Sequence, residues 1–288
     1  MSNSTGVLYV VATPIGNLAD IGQRAVDTLR QVDLVVAEDT RHSGRLLRHL
    51  GIATSLAACH EHNERAAVDG LVARLRAGSD LALISDAGTP LVSDPGFRLV
   101  RAARAAGVSV VPIPGPCAAI AALSVAGLPT DRFVFEGFLP ARHAARVARL
   151  EALAGETRTL VFYEAGRRLG ACLADLCAVF GADRPAVLAR ELTKLHETVL
   201  DERLAELAAR VAGDPDQARG ESVLLVAGAP EQPGDVALEV GRLLETLLEE
   251  GITVSRAAAI AARVSGLPKR ELYARAQALH DAHHAPSG

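Results

Sequence analysis

The sequence predicts an α/β protein built from two α/β domains, the first around a parallel sheet and the second around a mixed sheet, followed by a small helical segment. Three observations predict this class. Short runs of aliphatic residues alternate with helical patterns, as in parallel βαβ units. The strand-like runs are apolar throughout, which is typical of strands covered on both faces. Beyond about residue 230 the strand signals stop and the pattern is helical.

The first domain is assigned to residues 1–126. Its predicted strands are Val7–Ala12, Leu34–Ala37, Leu81–Ser85 and Val108–Ile113. Its predicted helices are Ile21–Gln31, Arg41–Leu50, Asn63–Ala77, Phe97–Ala106 and the Ala-rich Cys117–Ala126. Glycines follow three of these helices closely, where a left-handed C-cap is expected. The turn residues Gly127-Leu128-Pro129 mark the end of the domain.

The second domain is assigned to residues 127–230 and the helical tail to residues 235–288. The predicted strands of the second domain are Phe133–Glu136, Leu160–Tyr163, Ala186–Arg190, Thr198–Leu200 and Val223–Ala227, and its predicted helices are Ala144–Ala154 and Leu169–Phe180. Too few residues separate Ala186–Arg190 from Thr198–Leu200 for a helical crossover, so this pair is predicted to be antiparallel or to form a bent ribbon. The tail patterns, Val236–Glu250, Ser255–Val264 and Lys269–Leu279, predict a helix-turn-helix-like arrangement.

Composition excludes several classes of protein. Hydrophobic residues make up 49% of the 288 residues and charged residues 22%, as in ordinary soluble domains. No apolar run is long enough to span a bilayer, and no signal peptide is recognisable, so we expect a cytoplasmic protein without membrane contact. The four cysteines form no C-x-x-C pair and are expected to be buried thiols. Because the net charge is only −4, nucleic-acid binding would need local basic patches.

Four loops that follow predicted strands are rich in glycine and proline: Thr13–Leu18, Glu38–His42, Asp86–Gly96 and Pro114–Ala119. Ligands of an open parallel sheet bind at the carboxyl ends of its strands. Glycine permits close backbone approach and proline stiffens a loop, so together these loops predict a small-molecule cradle. The sequence lacks G-x-G-x-x-G after the first strand and also lacks G-x-x-x-x-G-K-[ST], which disfavours a dehydrogenase or a P-loop NTPase.

These loops, together with Phe162-Tyr163-Glu164 and Ala189–Lys194, resemble the successive motifs of the tetrapyrrole-methylase superfamily. Within it they are most similar to the family that methylates a ribose 2′-hydroxyl in small-subunit ribosomal RNA. The resemblance runs from about Leu8 to Ala227. It implies a homodimer with S-adenosyl-L-methionine bound between the domains, and 2′-O-methylation of a P-site cytidine in the decoding centre of 16S rRNA. The cofactor-binding residues that it implies are Ile15, Gly16, Asp86, Gly88, Thr89, Val92, Ala118, Ala119, Tyr163 and Glu191.

Four ionisable residues beside the expected cleft are candidates for the base that takes the ribose proton: Glu38, Asp39, Glu191 and Lys194. The sequence does not choose among them. Lys194 would need a depressed pKa to act as a neutral amine, and a phosphate or surface contact explains it equally well. The segment His60–Glu64 lacks the i, i+4 histidine pair of a metal-binding helix, and capping by Asn63 is the simpler explanation, so no metal is predicted.

The candidate RNA-binding residues are arginines in two basic segments: Arg41, Arg45, Arg142, Arg146, Arg149, Arg167 and Arg168. Such clusters neutralise phosphates when they converge in space, whereas solvated helix faces are the ordinary alternative. The basic residues of the tail fit packing on the body as well as an RNA contact. Two other functions stay open at this point: methylation of a tetrapyrrole carbon, and a non-catalytic RNA-binding assembly factor with the same fold.

Overall fold

The structure is a computed structural model that describes residues 5–59, 64–214, 216–230 and 233–283. The chain divides into two units, residues 1–229 and residues 230–288. The first unit contains two β-sheets with helices on their faces, and the second unit is helical.

The aliphatic runs of the first half form a parallel sheet. Its strands are β1 (Val7–Val11), β2 (Leu34–Ala37), β3 (Leu56–Ala58), β4 (Leu81–Ile84) and β5 (Ser109–Ile113), in the order β3-β2-β4-β1-β5. Strands β2 and β4 are buried along their whole length, as continuous Leu, Val, Ile and Ala runs require. The chain leaves β1 in one direction along the sheet and later crosses it to reach β5. The loops after β1 and β4 therefore meet at the switch point, where such sheets bind ligands.

Helices cover both faces of this sheet. They are α1 (Gln23–Gln31), α2 (Thr40–His49), α3 (Glu64–Arg76) and α4 (Phe97–Ala105). One core contains Leu29 of α1 and Leu47 of α2, and the other contains Leu75 of α3 and Leu99 of α4. The helices thereby bury both faces of the sheet and leave the carboxyl ends of its strands to the loops.

Helix α5 (Ala118–Val125) belongs to the predicted first domain in sequence, yet it packs against the second sheet. Ala119, Ala122 and Leu123 are buried there among apolar side chains of the second sheet. Because α5 is apolar on all sides, its opposite face leaves Ile120 and Val125 each 54% exposed. The loop before α5 therefore carries the chain from the first sheet directly onto the second.

The second sheet is mixed. Its strands are β6 (Phe133–Phe138), β7 (Thr159–Ala165), β8 (Pro185–Arg190), β9 (Thr198–Arg203) and β10 (Glu221–Val226), in the order β6-β7-β10-β8-β9. Only the β6–β7 pair is parallel among the described strands of this sheet. The antiparallel β8–β9 pairing confirms the prediction made from their short connection. The face opposite α5 is covered by α6 (His143–Glu151), α7 (Gly166–Phe180) and α8 (Leu204–Gly213).

The second unit consists, in its described part, of α9 (Pro233–Glu249), α10 (Val254–Ser265) and α11 (Lys269–His283). Its core is built from small and aliphatic residues, among them Leu244, Ala258, Ala261 and Leu272, which are all fully buried. Small alanines on α10 let the neighbouring helices approach closely, and Gly266 ends α10 in the left-handed conformation.

The predicted fold class is confirmed, and the prediction missed one strand, one α-helix and the short 3-10 helix Leu18–Asp20. Strand β3 is a three-residue strand at the end of the sheet order, written Leu-Ala-Ala, and its residues carry little strand preference. Helix α8 carries a clear helical spacing in its buried residues Leu204, Leu207 and Val211, and Glu206 accepts a hydrogen bond from the backbone N–H of Arg203. The helical spacing of α8 is therefore visible in the sequence, unlike the strand β3.

Candidate active site

A cavity of about 240 Å³ lies where the carboxyl-end loops of the first sheet meet β7, β8 and β10 of the second. The first sheet supplies the loops after β1, β4 and β5. The residues that line it are Ile15, Asp86, Ala87, Gly88, Thr89, Val92, Ser93, Asp94, Cys117, Ala118, Phe138, Tyr163, Glu164, Ala189, Glu191, Leu192, Lys194, Glu221, Ser222 and Val223. The cavity therefore sits at the switch point that the strand order defines.

Hydrogen bonds join the loops on the first-sheet side of this cavity. Thr13 and Gly88 exchange two backbone hydrogen bonds, with N···O distances of 2.9 and 3.1 Å. The hydroxyl of Thr89 donates to the carbonyl of Pro116 at 2.9 Å. Gly88 has φ of 86°, and a Cβ there would lie 3.3 Å from the side chain of Ile15. Glycine thus supplies both the turn and the room, and the three loops form one preformed wall.

Tyr163 closes the cavity on the second-sheet side. Its hydroxyl accepts a hydrogen bond from the backbone N–H of Ala119 at 3.1 Å, which ties the start of α5 to β7. Its ring makes edge contacts with Phe135 and Phe138, with centroids 5.0 and 5.6 Å apart. Burial, with a contribution from Cys117, raises the pKa of Tyr163, so the phenol stays neutral. Tyr163 therefore positions groups here and does not supply charge.

Two strained loops meet at this cavity. Among the described residues, those other than glycine with positive φ are Leu91, Ser93, Glu191 and Thr193, with φ between 50° and 73°. A positive φ is costly for residues with a Cβ and is found mostly where a site requires it. Ser93 also touches the second sheet, because a Cβ on Gly137 would come within 2.6 Å of its Oγ. The strain is concentrated in the segments that present Asp94 and Lys194.

Carboxylates dominate the lining. The described lining contains one cationic side chain, Lys194, and five carboxylates: Asp86, Asp94, Glu164, Glu191 and Glu221. Glu164 is neutralised from outside by Arg168, whose Nε lies 3.1 Å from its Oε1. The remaining lining combines glycine and alanine with larger apolar side chains and a few hydroxyl groups. Among these, the buried hydroxyl of Ser222 has no partner within the described structure. Such a lining suits a cationic ligand that also carries hydroxyl or amine groups.

Asp94 is one of the half-buried members of this acidic group. Burial raises its pKa to about 6, the charge of Asp86 adds to the shift, and a hydrogen bond with Ser85 opposes it. Burial also raises the pKa of Glu38, with help from Asp86, Asp94 and Asp39. Asp39 behaves differently, because it caps α2: its carboxylate accepts the N–H of Arg41 at 2.7 Å, and this bond lowers its pKa.

Lys194 bridges two carboxylates. Its ammonium donates to Glu191 Oε1 at 2.9 Å and to Glu221 Oε2 at 3.0 Å. Burial alone would lower the pKa of Lys194, but these bonds outweigh burial and raise it. Burial would raise the pKa of Glu191, but the bond with Lys194 and the N–H of Glu221 together lower it. This environment favours the ammonium form of Lys194, whereas a neutral amine would need a lowered pKa.

Eight of the ten residues predicted to bind a cofactor line the cavity. The other two, Gly16 and Ala119, contact residues of the lining without lining the cavity themselves. A Cβ on Gly16 would clash with Cγ of Lys194, so glycine there leaves the path of the lysine chain open. Ala119 is buried in the contact between α5 and the second sheet, and it gives its N–H to Tyr163.

Sequence reasoning missed several lining residues. Asp94 lies in the loop Asp86–Gly96, whose other acid is Asp86, and its raised pKa depends on surroundings that form only in the folded chain. Glu221 and Ser222 begin β10, about thirty residues from Glu191 in the chain, and the pairing of β10 with β8 brings them to the cavity. No local signal in the sequence points to them, since their role depends on strand order.

Three of the predicted RNA-binding arginines are held by the fold. Arg146 is 5% exposed, and its Nε donates to Asp175 at 2.6 Å. Arg149 makes a bidentate ion pair with Glu136, with both N···O distances 2.7 Å. Arg168 pairs with Glu164 and donates to the carbonyl of Leu139. The expectation that Arg146 serves RNA and not the fold is wrong. Arg146 lies with Leu150 on the buried face of α6, where it pairs with the carboxylate of Asp175.

The other four arginines, Arg41, Arg45, Arg142 and Arg167, are exposed. Arg41 lies 3.7 Å from Asp39 but is 90% exposed, so this pair is weak. Arg45 lines a second, smaller cavity beside the first. Elsewhere, the segment 60–63 lies outside the described residues, so the structure does not bear on the metal prediction made there. Of the four cysteines, Cys59 and Cys172 are buried as predicted, whereas Cys117 and Cys177 are half-buried. Burial raises the pKa of the Cys172 thiol to about 12.

Each of the two units of the chain matches a known protein-family model. The family model described as Tetrapyrrole (Corrin/Porphyrin) Methylases matches residues 7–208, and the RsmI C-terminal HTH domain matches residues 234–280. A solved uroporphyrin-III-C-methyltransferase from Thermus thermophilus has a TM-score of 0.55 and 24% identity, covering 77% of this chain and 94% of its own. At that identity the likeness shows the fold. The fold and the cleft together define a methylase of the tetrapyrrole-methylase class.

Sequence similarity narrows the class. The ribosomal RNA small subunit methyltransferase I of Pseudomonas aeruginosa is 59% identical over 275 residues, which are 95% of this chain and 97% of that protein. The protein of the same name from Escherichia coli O157:H7 is 52% identical over 94% of both chains. The chain belongs to the ribosomal RNA small subunit methyltransferase I family. No helix in the described part of the chain is long and apolar enough to cross a membrane.

Proposed function

We propose that this protein transfers a methyl group from S-adenosyl-L-methionine to the 2′-oxygen of a P-site cytidine in 16S rRNA of the small ribosomal subunit. The observation that carries the proposal is the carboxylate-lined cavity at the switch point of a chain from this family. Sequence similarity to proteins named for small-subunit ribosomal RNA supports the substrate class. The ribose position and the nucleotide rest on the motif resemblance.

The lining fits this cofactor in charge and in shape. A sulfonium is cationic, and the cavity offers Asp86, Asp94 and Glu221 around it. The small side chains of Ala118 and Ala189 leave room for an adenosyl group, and the partnerless hydroxyl of Ser222 offers a hydrogen bond. The residues proposed to hold the cofactor are Ile15, Asp86, Gly88, Thr89, Val92, Ala118, Tyr163 and Glu191, with Gly16 and Ala119 behind them. When bound, it supplies a methyl group already activated for displacement.

The protein then has two tasks, which are to align the ribose oxygen and to accept its proton. The ammonium form of Lys194 cannot accept a proton. Glu191 is committed to Lys194 and to the N–H of Glu221, and Asp39 caps α2. Glu38 is not among the residues that line the cavity. Asp94 lines the cavity, and with a pKa of about 6 it is ionised at neutral pH and still basic. Asp94 is therefore the residue that would accept the 2′-proton, and bound S-adenosyl-L-methionine would supply the methyl group that the ribose oxygen takes.

The proposal includes an RNA contact by the second unit, a homodimer and a cytoplasmic location. The second unit matches an HTH domain model, which supports a nucleic-acid contact for its basic helices. A homodimer is supported by apolar side chains on the surface of the first unit, notably Ile120, Val125 and Leu195. We place the protein in the cytoplasm, where small subunits are assembled.

The substrate class is tested by methyl transfer with competing acceptors. Purified protein is incubated with tritiated S-adenosylmethionine and either small ribosomal subunits from a strain that lacks this enzyme or a reduced porphyrinoid. The proposal expects incorporation into the subunits alone. Incorporation into the porphyrinoid would favour a tetrapyrrole methylase. Cofactor-independent binding to subunits without incorporation would favour a non-catalytic assembly factor.

A further inference from the structure

A second cavity of about 220 Å³ opens at the same edge of the first sheet. Its wall consists of Pro14 and Leu18 from the loop after β1, four residues of α2, and Asp86; the α2 residues are His42, Arg45, Leu46 and His49. Asp86 also lines the larger cavity, so the two cavities adjoin at this carboxylate.

The packing of α2 determines this wall. Positions 42, 45, 46 and 49 follow helical spacing and share one face, whereas Ser43 and Leu47 are buried toward the sheet. The start of the helix is fixed to the junction, because the N–H of Asp39 donates to Asp86 Oδ1 at 3.2 Å. A ligand in the second cavity would therefore be held at a defined place relative to one in the first.

The two cavities differ in charge. Carboxylates line the larger one, whereas the second presents the guanidinium of Arg45 and the imidazoles of His42 and His49, with Asp86 at the boundary. Among the described residues Arg45 has no carboxylate partner, in contrast to Arg146 and Arg149. A guanidinium matches the geometry of a phosphate, and imidazole N–H groups add donors. Leu18, 43% exposed, and Pro14 give apolar surface on which a sugar or base can lie.

We propose that this second cavity binds the phosphodiester and sugar that flank the target nucleotide, with Arg45 on the phosphate. This inference rests on the proposed function, because it assumes that an RNA ribose enters the larger cavity. It assigns the anionic backbone to the basic cavity and the cationic cofactor to the acidic one. The boundary at Asp86 then lies between the cofactor and the incoming strand.

The test compares two arginines on one helix. Arg45→Gln removes a charge from the cavity, and Arg48→Gln removes the same charge from an exposed position of α2 beside it. Binding to small subunits that lack the methyl group is measured over a series of salt concentrations. We expect Arg45→Gln to weaken binding about 10-fold and to reduce the salt slope by about 1, while Arg48→Gln stays within about 2-fold of wild type.

Equal effects of the two substitutions, or wild-type binding by Arg45→Gln, would overturn the inference. Both side chains are exposed, so both variants should fold, and a thermal melt checks this. Cofactor affinity, measured by calorimetry, should be unchanged in both. If the wild-type protein methylates the subunits while Arg45→Gln binds them normally, only the second cavity loses its role. If the wild-type protein neither binds nor methylates them, the proposed function and this inference fail together.

Discussion

Asp94 should impose a pH dependence on methyl transfer. Its pKa is raised to about 6, so the carboxylate form that accepts a proton is lost as the pH falls through that value. With one titrating group, about nine-tenths of Asp94 is ionised at pH 7 and about a tenth at pH 5. The single-turnover rate should therefore fall roughly 10-fold between pH 7 and pH 5, with a slope approaching one decade per pH unit below the midpoint.

Replacing Asp94 by Asn tests the assignment. The substitution keeps the size of the side chain and removes the basic oxygen, so the rate at pH 7.5 should fall ~10²–10⁴-fold and the acid limb should disappear. Asp27→Asn is a matched control, because Asp27 lies on the exposed face of α1 and contacts Gln23 and Arg30. Single-turnover rates across pH are measured with saturating subunits and cofactor, and both affinities are determined in parallel. An Asn variant that keeps the wild-type rate and the acid limb would show that Asp94 is not the base.

Three further predictions concern the same cleft and the arginines beside it. Ala118→Trp should abolish cofactor binding in calorimetry without lowering the unfolding midpoint, because the indole fills the cavity that Ala118 lines; normal affinity would remove Ala118 from the site. Lys194→Met should leave Glu191 and Glu221 without their shared cation. Cofactor or RNA affinity should therefore weaken together with the rate, while the acid limb of the pH–rate profile persists. Loss of that limb would instead show that Lys194 is the base. Arg146→Gln should destabilise the protein by ~1–3 kcal/mol in urea unfolding, because it leaves the carboxylate of Asp175 with His143 as its remaining described ion-pair partner. Arg142→Gln on the exposed start of α6 should change stability by less than about 0.5 kcal/mol. Equal urea midpoints for the two variants would show that the Arg146–Asp175 pair contributes little.

The sequence predicted the layers of the fold because its signals there are local. Continuous aliphatic runs such as Leu34–Ala37 specify strands buried on both faces, and the glycine-rich loops after them mark the carboxyl edge. Most of the predicted cofactor residues lie in those loops, and the structure brings them to one cavity. Elements with weak or overlooked local signals, β3 and α8, were missed.

The remainder of the site depends on pairing and burial, which a single sequence does not display. Glu221 reaches the cavity through the register of β10 with β8. Arg146 and Arg142 are both arginines of one apolar segment, yet one is buried on Asp175 and the other is exposed. The environment of Asp94 likewise follows from loops that meet only after folding, and the same holds for the protonation state of Lys194.

Mapping the methylated nucleoside directly tests whether this protein methylates the 2′-oxygen of a cytidine in 16S rRNA. Small subunits from a strain that lacks the enzyme are incubated with S-adenosylmethionine and either the wild-type protein or Ala118→Trp, and their 16S rRNA is digested and analysed by mass spectrometry. We expect one 2′-O-methylcytidine, in the decoding centre, with the wild-type protein and none with Ala118→Trp. A methyl group on a base, no methylation by the wild-type protein, or equal methylation by a folded Ala118→Trp variant would contradict it.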